Sequence, residues 1–410
     1  MREYLEKYPK DVEAAAFFAY WSRDGYDNSG LPNEGTKAGL EVIDRSLKHS
    51  PKNAGLYHYR IHLMEPGPDF AEALSSAMLL PELCPNAPHL VHMPGHIFYL
   101  QGDYHRAVQI FQLSHRVEER YLKSEKIPAI DPPNYLHNLH FLSSAAMESG
   151  QVDLAMEAAA TFASLEVPED RGRAIGSAQA KYLGQQLTSL THARLGDFEE
   201  AAELIKPEKL SLDPAPRLFL ESFKCYFEIR AMLAQKEAAS LADLLRAKIK
   251  FRPIIQQYRQ NKPIVGSVAE TMPYETSFVT MQLLSSELEA YLESAEADDE
   301  SLEFTMELAA KKQEAYAYIE PPFLPWCLEE QFADLWLQRG NREKAAKWYL
   351  KALKVRPKSG PILIGLARST SKKEDYAAFL KAWENADGNR PELAEARAAI
   401  ADFEVEGEAK

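Results

Sequence analysis

Gly102-Asp103-Tyr104-His105-Arg106-Ala107-Val108-Gln109-Ile110-Phe111 is the stretch whose outline recurs along the chain. It returns as Gly150-Gln151-Val152-Asp153-Leu154-Ala155, as Gly196-Asp197-Phe198-Glu199-Glu200-Ala201, and as Gly340-Asn341-Arg342-Glu343-Lys344-Ala345. Glycine suits a tight turn between two helices, where a side chain is not tolerated. The alanine five places on lets two helices approach closely. The last copy continues to Tyr349, Ala352 and Pro357, and a proline there opens a helix without losing a needed N–H. Pro51 and Pro85 are 34 residues apart. Helix hairpins of that length bury their apolar faces only against their neighbours, so the pattern predicts a stack of antiparallel helix pairs. Strand-like alternation is not sustained anywhere.

These offsets are those of a tetratricopeptide repeat, and the expected fold is all-α, a tetratricopeptide superhelix or α-solenoid. Residues 1–205 form the repeats that carry the histidines, 206–403 form divergent repeats of the same continuous solenoid, and 404–410 form a frayed acidic tail. Gly102 and Gly150 are 48 residues apart. That is about 14 more than one period, so a loop is expected around 127–133. A second irregular stretch covers 262–274. Long connections of this kind often line a functional surface.

At 410 residues the chain exceeds one compact core unless repeats extend it. A 46% hydrophobic and 26% charged composition suits an ordered soluble protein. No apolar run approaches the ~20 residues a membrane helix needs, and the charged start Met1-Arg2-Glu3-Tyr4 is no secretory signal. A cytoplasmic location is expected. The net charge of -14 opposes nucleic-acid binding. Cys84, Cys225 and Cys327 are too scattered for a zinc knuckle or a disulfide framework. Phosphate-loop, dinucleotide and H-E-x-x-H motifs are absent.

All eleven histidines precede residue 193. In repeat register, His58 and His62 take positions 5 and 9 of one helix A, with Glu65 at position 12. His89, His92 and His96 take positions 2, 5 and 9 of the next, and His137 and His140 take 2 and 5 of a third. These positions share one helical face, the face that lines the groove of such a superhelix. Seven of the nine sites hold histidine, where the chain's composition would give about 0.2. Spacings of i,i+3 and i,i+4 let paired imidazoles converge on an ion. All-nitrogen ligation suits copper, iron or zinc and not calcium or magnesium. His49, His105, His115 and His192 fall off this face.

The segments Tyr57-His58-Tyr59-Arg60-Ile61-His62, His89-Leu90-Val91-His92-Met93-Pro94-Gly95-His96 and His137-Asn138-Leu139-His140-Phe141 resemble a bacterial tetratricopeptide family. That family carries H-Y-Y-I-H, H-L-V-H-M-P-S-H-I and H-N-x-H-F. Glu320-Pro321-Pro322, Gly340 and Pro357-Lys358-Ser359-Gly360 resemble its C-terminal signature. The resemblance implies the repeat fold, a shared histidine site and, commonly, a further helical segment before residue 1. It implies no reaction. The family's aromatic pair after E-P-P is replaced here by Phe323-Leu324-Pro325-Trp326. Glu320, which follows Tyr316 and Tyr318, would face the histidines if the superhelix closed on itself.

The expectation is therefore a metalloprotein, favoured as an enzyme, with a mono- or dinuclear site. Its ligands are His58, His62, His89, His92, His96, His137 and His140. Glu65 would act as orienting residue or base, and Glu320 is a second catalytic candidate. Copper or iron is favoured over zinc, and oxidative chemistry with dioxygen over hydrolysis. The substrate would be a small molecule or peptide in the concave groove, with neither nucleic acid nor membrane as partner. The rival is a non-catalytic scaffold binding a peptide or protein there, and a third possibility is metal storage or delivery.

Overall fold

The computed structural model describes residues 1–408 apart from 28, 167–174, 210–213, 235–240, 262–273, 297, 315–318 and 323. At 175–181, 209, 241, 243–244, 247, 274–275, 295–296 and 404–408 it describes the backbone alone. The irregular stretch from 262, Tyr316, Tyr318, Phe323 and the last two residues of the tail thus lie outside the described residues. Among the described residues all regular structure is helical apart from one bridge, Tyr26 to Pro32. The chain is an all-α solenoid of tetratricopeptide-type helix pairs, packed as two compact units, Met1–Ala129 and Ile130–Lys410. The sequence-based division at 205/206 separates histidine-bearing from divergent repeats and falls inside the second unit.

The first unit holds α1 (Arg2–Lys7), α2 (Val12–Trp21), α3 (Glu34–Leu47), α4 (Ala54–Met64), α5 (Leu74–Leu83), α6 (Pro88–Leu100) and α7 (Tyr104–Glu125). Local chemistry sets the helix starts. Asp11 and Asn53 accept hydrogen bonds from the N–H groups of Ala14 and Leu56, and Pro88 opens α6. Asp24 clasps the start of α3 through the N–H groups of Gly35 and Thr36, at 2.8 and 2.7 Å. Ile61, Leu80, Met93 and Ile97 form the core between α4, α5 and α6.

The second unit runs α8 (Pro133–Glu148), α9 (Val152–Ala163), α10 (Ile175–Arg194), α11 (Phe198–Leu204), α12 (Pro214–Ala234), α13 (Leu241–Gln260) and α14 (Tyr274–Glu296). It continues as α15 (Asp299–Glu314), α16 (Leu328–Gln338), α17 (Arg342–Val355), α18 (Gly360–Thr370), α19 (Lys373–Ala382) and α20 (Pro391–Glu408). The tail expected to begin at 404 is thus helical through Glu408.

All four turn glycines of the repeated motif have positive φ, from 70° at Gly102 to 83° at Gly196. Each closes a Schellman motif. The glycine N–H bonds back to Tyr99, Met147, Ala193 or Leu337, and the next N–H reaches Phe98, Ala146, His192 or Trp336. At three of the turns that next residue, Asp103, Asp197 or Asn341, also caps the following helix with its side chain. One residue ends helix A and starts helix B, which is why the motif is so compact.

The surplus between Gly102 and Gly150 is arranged differently from expectation. Most of it extends α7 to 22 residues, leaving only 126–132 as connection. Ala107, Val108, Phe111, Ser114, Val117, Glu118 and Leu122 keep one buried stripe along the whole helix. No glycine or proline interrupts it before Pro128.

A simple solenoid contacts only its sequence neighbours, but the second unit closes on itself. The Trp383 indole N–H donates to the Glu148 carbonyl at 3.0 Å, and the Asp387 N–H donates to the Gly150 carbonyl at 3.1 Å. The Asp387 carboxylate in turn accepts the Asp153 N–H at 2.9 Å. Buried charge completes the clasp, with Glu148 held by Arg356 at 2.9 Å and by Arg194 at 3.5 Å.

Candidate metal centre

The histidine-bearing helices α4 and α6 pack against each other inside the first unit. His92 and His96 are fully buried, and Glu65, the residue that ends α4, is 3% exposed. Gly95 separates the last two histidines for a steric reason. A Cβ at that position would lie 2.4 Å from the Phe111 ring. Without it α6 settles onto α7, and Phe111 forms an apolar wall 5.1 Å from the His92 ring. Sequence reasoning did not pick out Phe111, since an aromatic on helix B reads as ordinary core.

Glu65 joins the two helices chemically. Its Oε2 accepts from His62 Nδ1 at 3.1 Å and its Oε1 from His96 Nδ1 at 3.0 Å. A carboxylate can only accept, so both Nδ1 atoms carry the hydrogen. In the neutral rings the two Nε2 atoms are then lone-pair bearers, ready to ligate. Carboxylate–histidine pairs of this kind orient metal-binding imidazoles.

The Nε2 atoms meet in two places. His58 Nε2 stands 3.0 Å from His62 Nε2 and 2.9 Å from His89 Nε2, and all three ring nitrogens lie within 4.8 Å of one another. One hydrogen on His58 can bridge to one of its two neighbours and not to both. A metal at 2.0–2.1 Å from each nitrogen would set adjacent ligand atoms about 2.9–3.4 Å apart, the spacing of the His58–His62 and His58–His89 pairs. His92 Nε2 and His96 Nε2 form a second, tighter pair at 2.5 Å.

Electrostatics disfavours filling the trio with protons. Burial, reinforced by His62 and His89, lowers the His58 imidazole to about 2. Burial alone would raise the Glu65 carboxyl, but His96 and His62 outweigh it and hold it well below the usual glutamate range. The site therefore combines an ionised carboxylate at Glu65 with a neutral imidazole at His58.

Comparison with known proteins adds little to this geometry. No protein-family model matches the chain, and no curated protein matches it. Among solved structures, the chain is similar to the P58(IPK) tetratricopeptide domain, 13% identical over 92% of this chain and 96% of that one, with a TM-score of 0.27. It is also similar to yeast Tom70, 13% identical over 96% and 97%, at 0.30. A chain of the Naa15/Naa10 structure bound to HypK-THB is 15% identical over 91% and 64%, at 0.22. The fold assignment rests on the hairpins themselves.

The remaining predicted residues belong to the second unit. His137 on α8 packs edge-on against Phe141, ring centroids 5.0 Å apart. His140, one turn along, is buried and lowered by that burial to about 4. It lines a small hollow with Thr191, Pro322 and Pro325, so the segment that follows Glu320 reaches α8 within this unit. Off the shared face, His105 bonds Gln109 at 3.0 Å, while His115 and His192 pair with Glu119 and Asp197, both at 3.4 Å. His49 is exposed. No helix among the described residues is long and apolar enough to cross a membrane.

Proposed function

We propose that the protein binds a transition-metal ion through His58, His62 and His89. The observation that carries this reading is His58 Nε2 at ligand spacing from both His62 Nε2 and His89 Nε2, with His62 held lone-pair outward by Glu65. His92 and His96 supply a second position, which would make the centre dinuclear, and His137 and His140 are further ligand candidates. Copper or iron is favoured over zinc among ions that accept all-nitrogen ligation. Turnover belongs to the same proposal, with dioxygen chemistry ahead of hydrolysis. Glu65 or Glu320 would handle protons, and a small molecule or peptide would be the substrate. Membership of the bacterial family with the H-Y-Y-I-H and H-L-V-H-M-P-S-H-I motifs is also part of it. Cytoplasmic residence suits the three unpaired thiols.

The test is elemental analysis of protein purified without chelator or nickel resin, beside His58→Ala/His62→Ala and His92→Ala/His96→Ala variants. About one or two equivalents of a transition metal are expected. The first variant should lose the ion in the trio, and the second should keep it. Metal-bearing protein would then be assayed for dioxygen uptake with a phenolic reductant. Wild-type protein that neither carries metal nor takes up copper, iron or zinc would end the proposal and leave the peptide-binding scaffold in its place.

A further inference from the structure

A cleft of about 240 Å³ opens in the second unit, between α10, α12, α16, α18 and α20. Arg194, Arg230, Arg368 and Arg390 line it together with Glu330, Asp334 and Glu392. Trp326, Trp383 and Phe198 add apolar wall. No residue of the histidine centre takes part.

The protein meets only part of the polar demand of these groups. Arg194 pairs with Glu330 and Glu148, yet its Nε is shielded from solvent and has no hydrogen-bond partner. Glu330 is likewise left with Oε2 unmatched. These two side chains are only 5% and 4% exposed. Arg390 and Glu392 repeat the situation, with Nε and Oε2 unmatched beside their own 3.5 Å pairing. Two donors and two acceptors are thus buried at one cleft without bonds, an arrangement that is costly and rare in a folded protein.

Both signs are represented, and that limits the occupant. A simple anion would meet Glu330, Asp334 and Glu392. A simple cation would meet four guanidinium groups. A cleft smaller than the usual range of about 300–1,000 Å³ for drug-sized ligands also excludes a long peptide. We propose that this cleft binds a small zwitterion of the α-amino-acid class, its carboxylate met by Arg194 and Arg390 and its ammonium by Glu330 and Glu392. The indole and phenyl walls receive the side chain, which favours an apolar one. Guanidinium groups recognise carboxylates with two parallel N–H donors, and this sets the ligand's orientation.

The test is calorimetric titration of the full-length, metal-free protein with the common free L-α-amino acids. The same compounds are run with the amine acetylated or the carboxyl amidated. At least one free amino acid should bind below about 10 mM, and blocking either end should weaken it by about tenfold or more. Arg390→Gln and Glu392→Gln lie at the partly exposed rim, so the fold should persist. Each should weaken the free ligand by a similar factor while leaving metal content unchanged. The proposal is overturned if no free amino acid binds, if a blocked form binds as well as the free one, or if both variants bind like wild type. Because the titrations are made without metal, failure here leaves the histidine centre untouched, and the reverse also holds.

Discussion

Glu65 is the residue on which the histidine geometry turns, because one carboxylate sets the tautomer of two imidazoles on two helices. Glutamine in its place keeps the shape and loses that control. Its amide oxygen still accepts one Nδ1–H, but its NH₂ now donates toward the other ring. That ring must shift its hydrogen to Nε2, and the shift removes a ligand lone pair. Glu65→Gln should therefore lower metal affinity about 10–100-fold with helix content unchanged. The checks are competition against a chromophoric chelator and far-UV circular dichroism. Unaltered affinity in a folded variant would mean that Glu65 does not orient the ligands. The histidines were legible in the sequence because i,i+3 and i,i+4 spacing is a property of one helix. Glu65 was legible only as a neighbour at the next position of the same face. Its second bond, to His96 on α6, depends on how two helices pack.

Helix hairpins were the most legible level of structure, and the reason is local. A glycine with positive φ, two backward N–H bonds and a capping Asp or Asn all lie within a few residues, so the sequence shows them together. The length of α7 was missed because repeat arithmetic counts surplus residues without saying whether they coil or continue a helix. The closure of the second unit was not legible at all. Trp383 and Glu148 are 235 residues apart, and no spacing rule links them. Gly360 gives this closure a test. A Cβ there would lie 1.6 Å from the Trp383 Nε1, so the indole must leave its place beneath the start of α18. That move breaks its bond to the Glu148 carbonyl. Gly360→Ala should cost about 2–4 kcal/mol, the overpacking term plus a buried carbonyl left unmet. Trp383→Phe, which loses the N–H and the five-membered ring but meets no clash, should cost about 1–3 kcal/mol. Urea unfolding measures both, and a Gly360→Ala variant as stable as the parent would show that the glycine is not needed for the clasp.

Two compact units with chemically different sites should answer to different ligands. A ligand that binds only the folded form stabilises it by about 2.7 kcal/mol at a hundredfold excess over Kd. Hydrogen exchange reports where that stabilisation is felt, since cooperative segments open separately. Added metal should slow amide exchange in α4 and α6, which carry His58, His62 and His89. A bound amino acid should slow it in α16, α18 and the start of α20, which carry Glu330, Arg368 and Glu392. The cleft was invisible in the sequence because its arginines and carboxylates come from five helices with no common spacing, whereas the histidines come from consecutive helix A segments. Helix α8 supplies the informative reading. Slower exchange there on metal addition would bring His137 and His140 into the coordination sphere, and an unchanged rate would confine the ion to the first unit. Metal that slowed α16 to α20 as strongly as α4 and α6 would contradict a centre built on His58, His62 and His89.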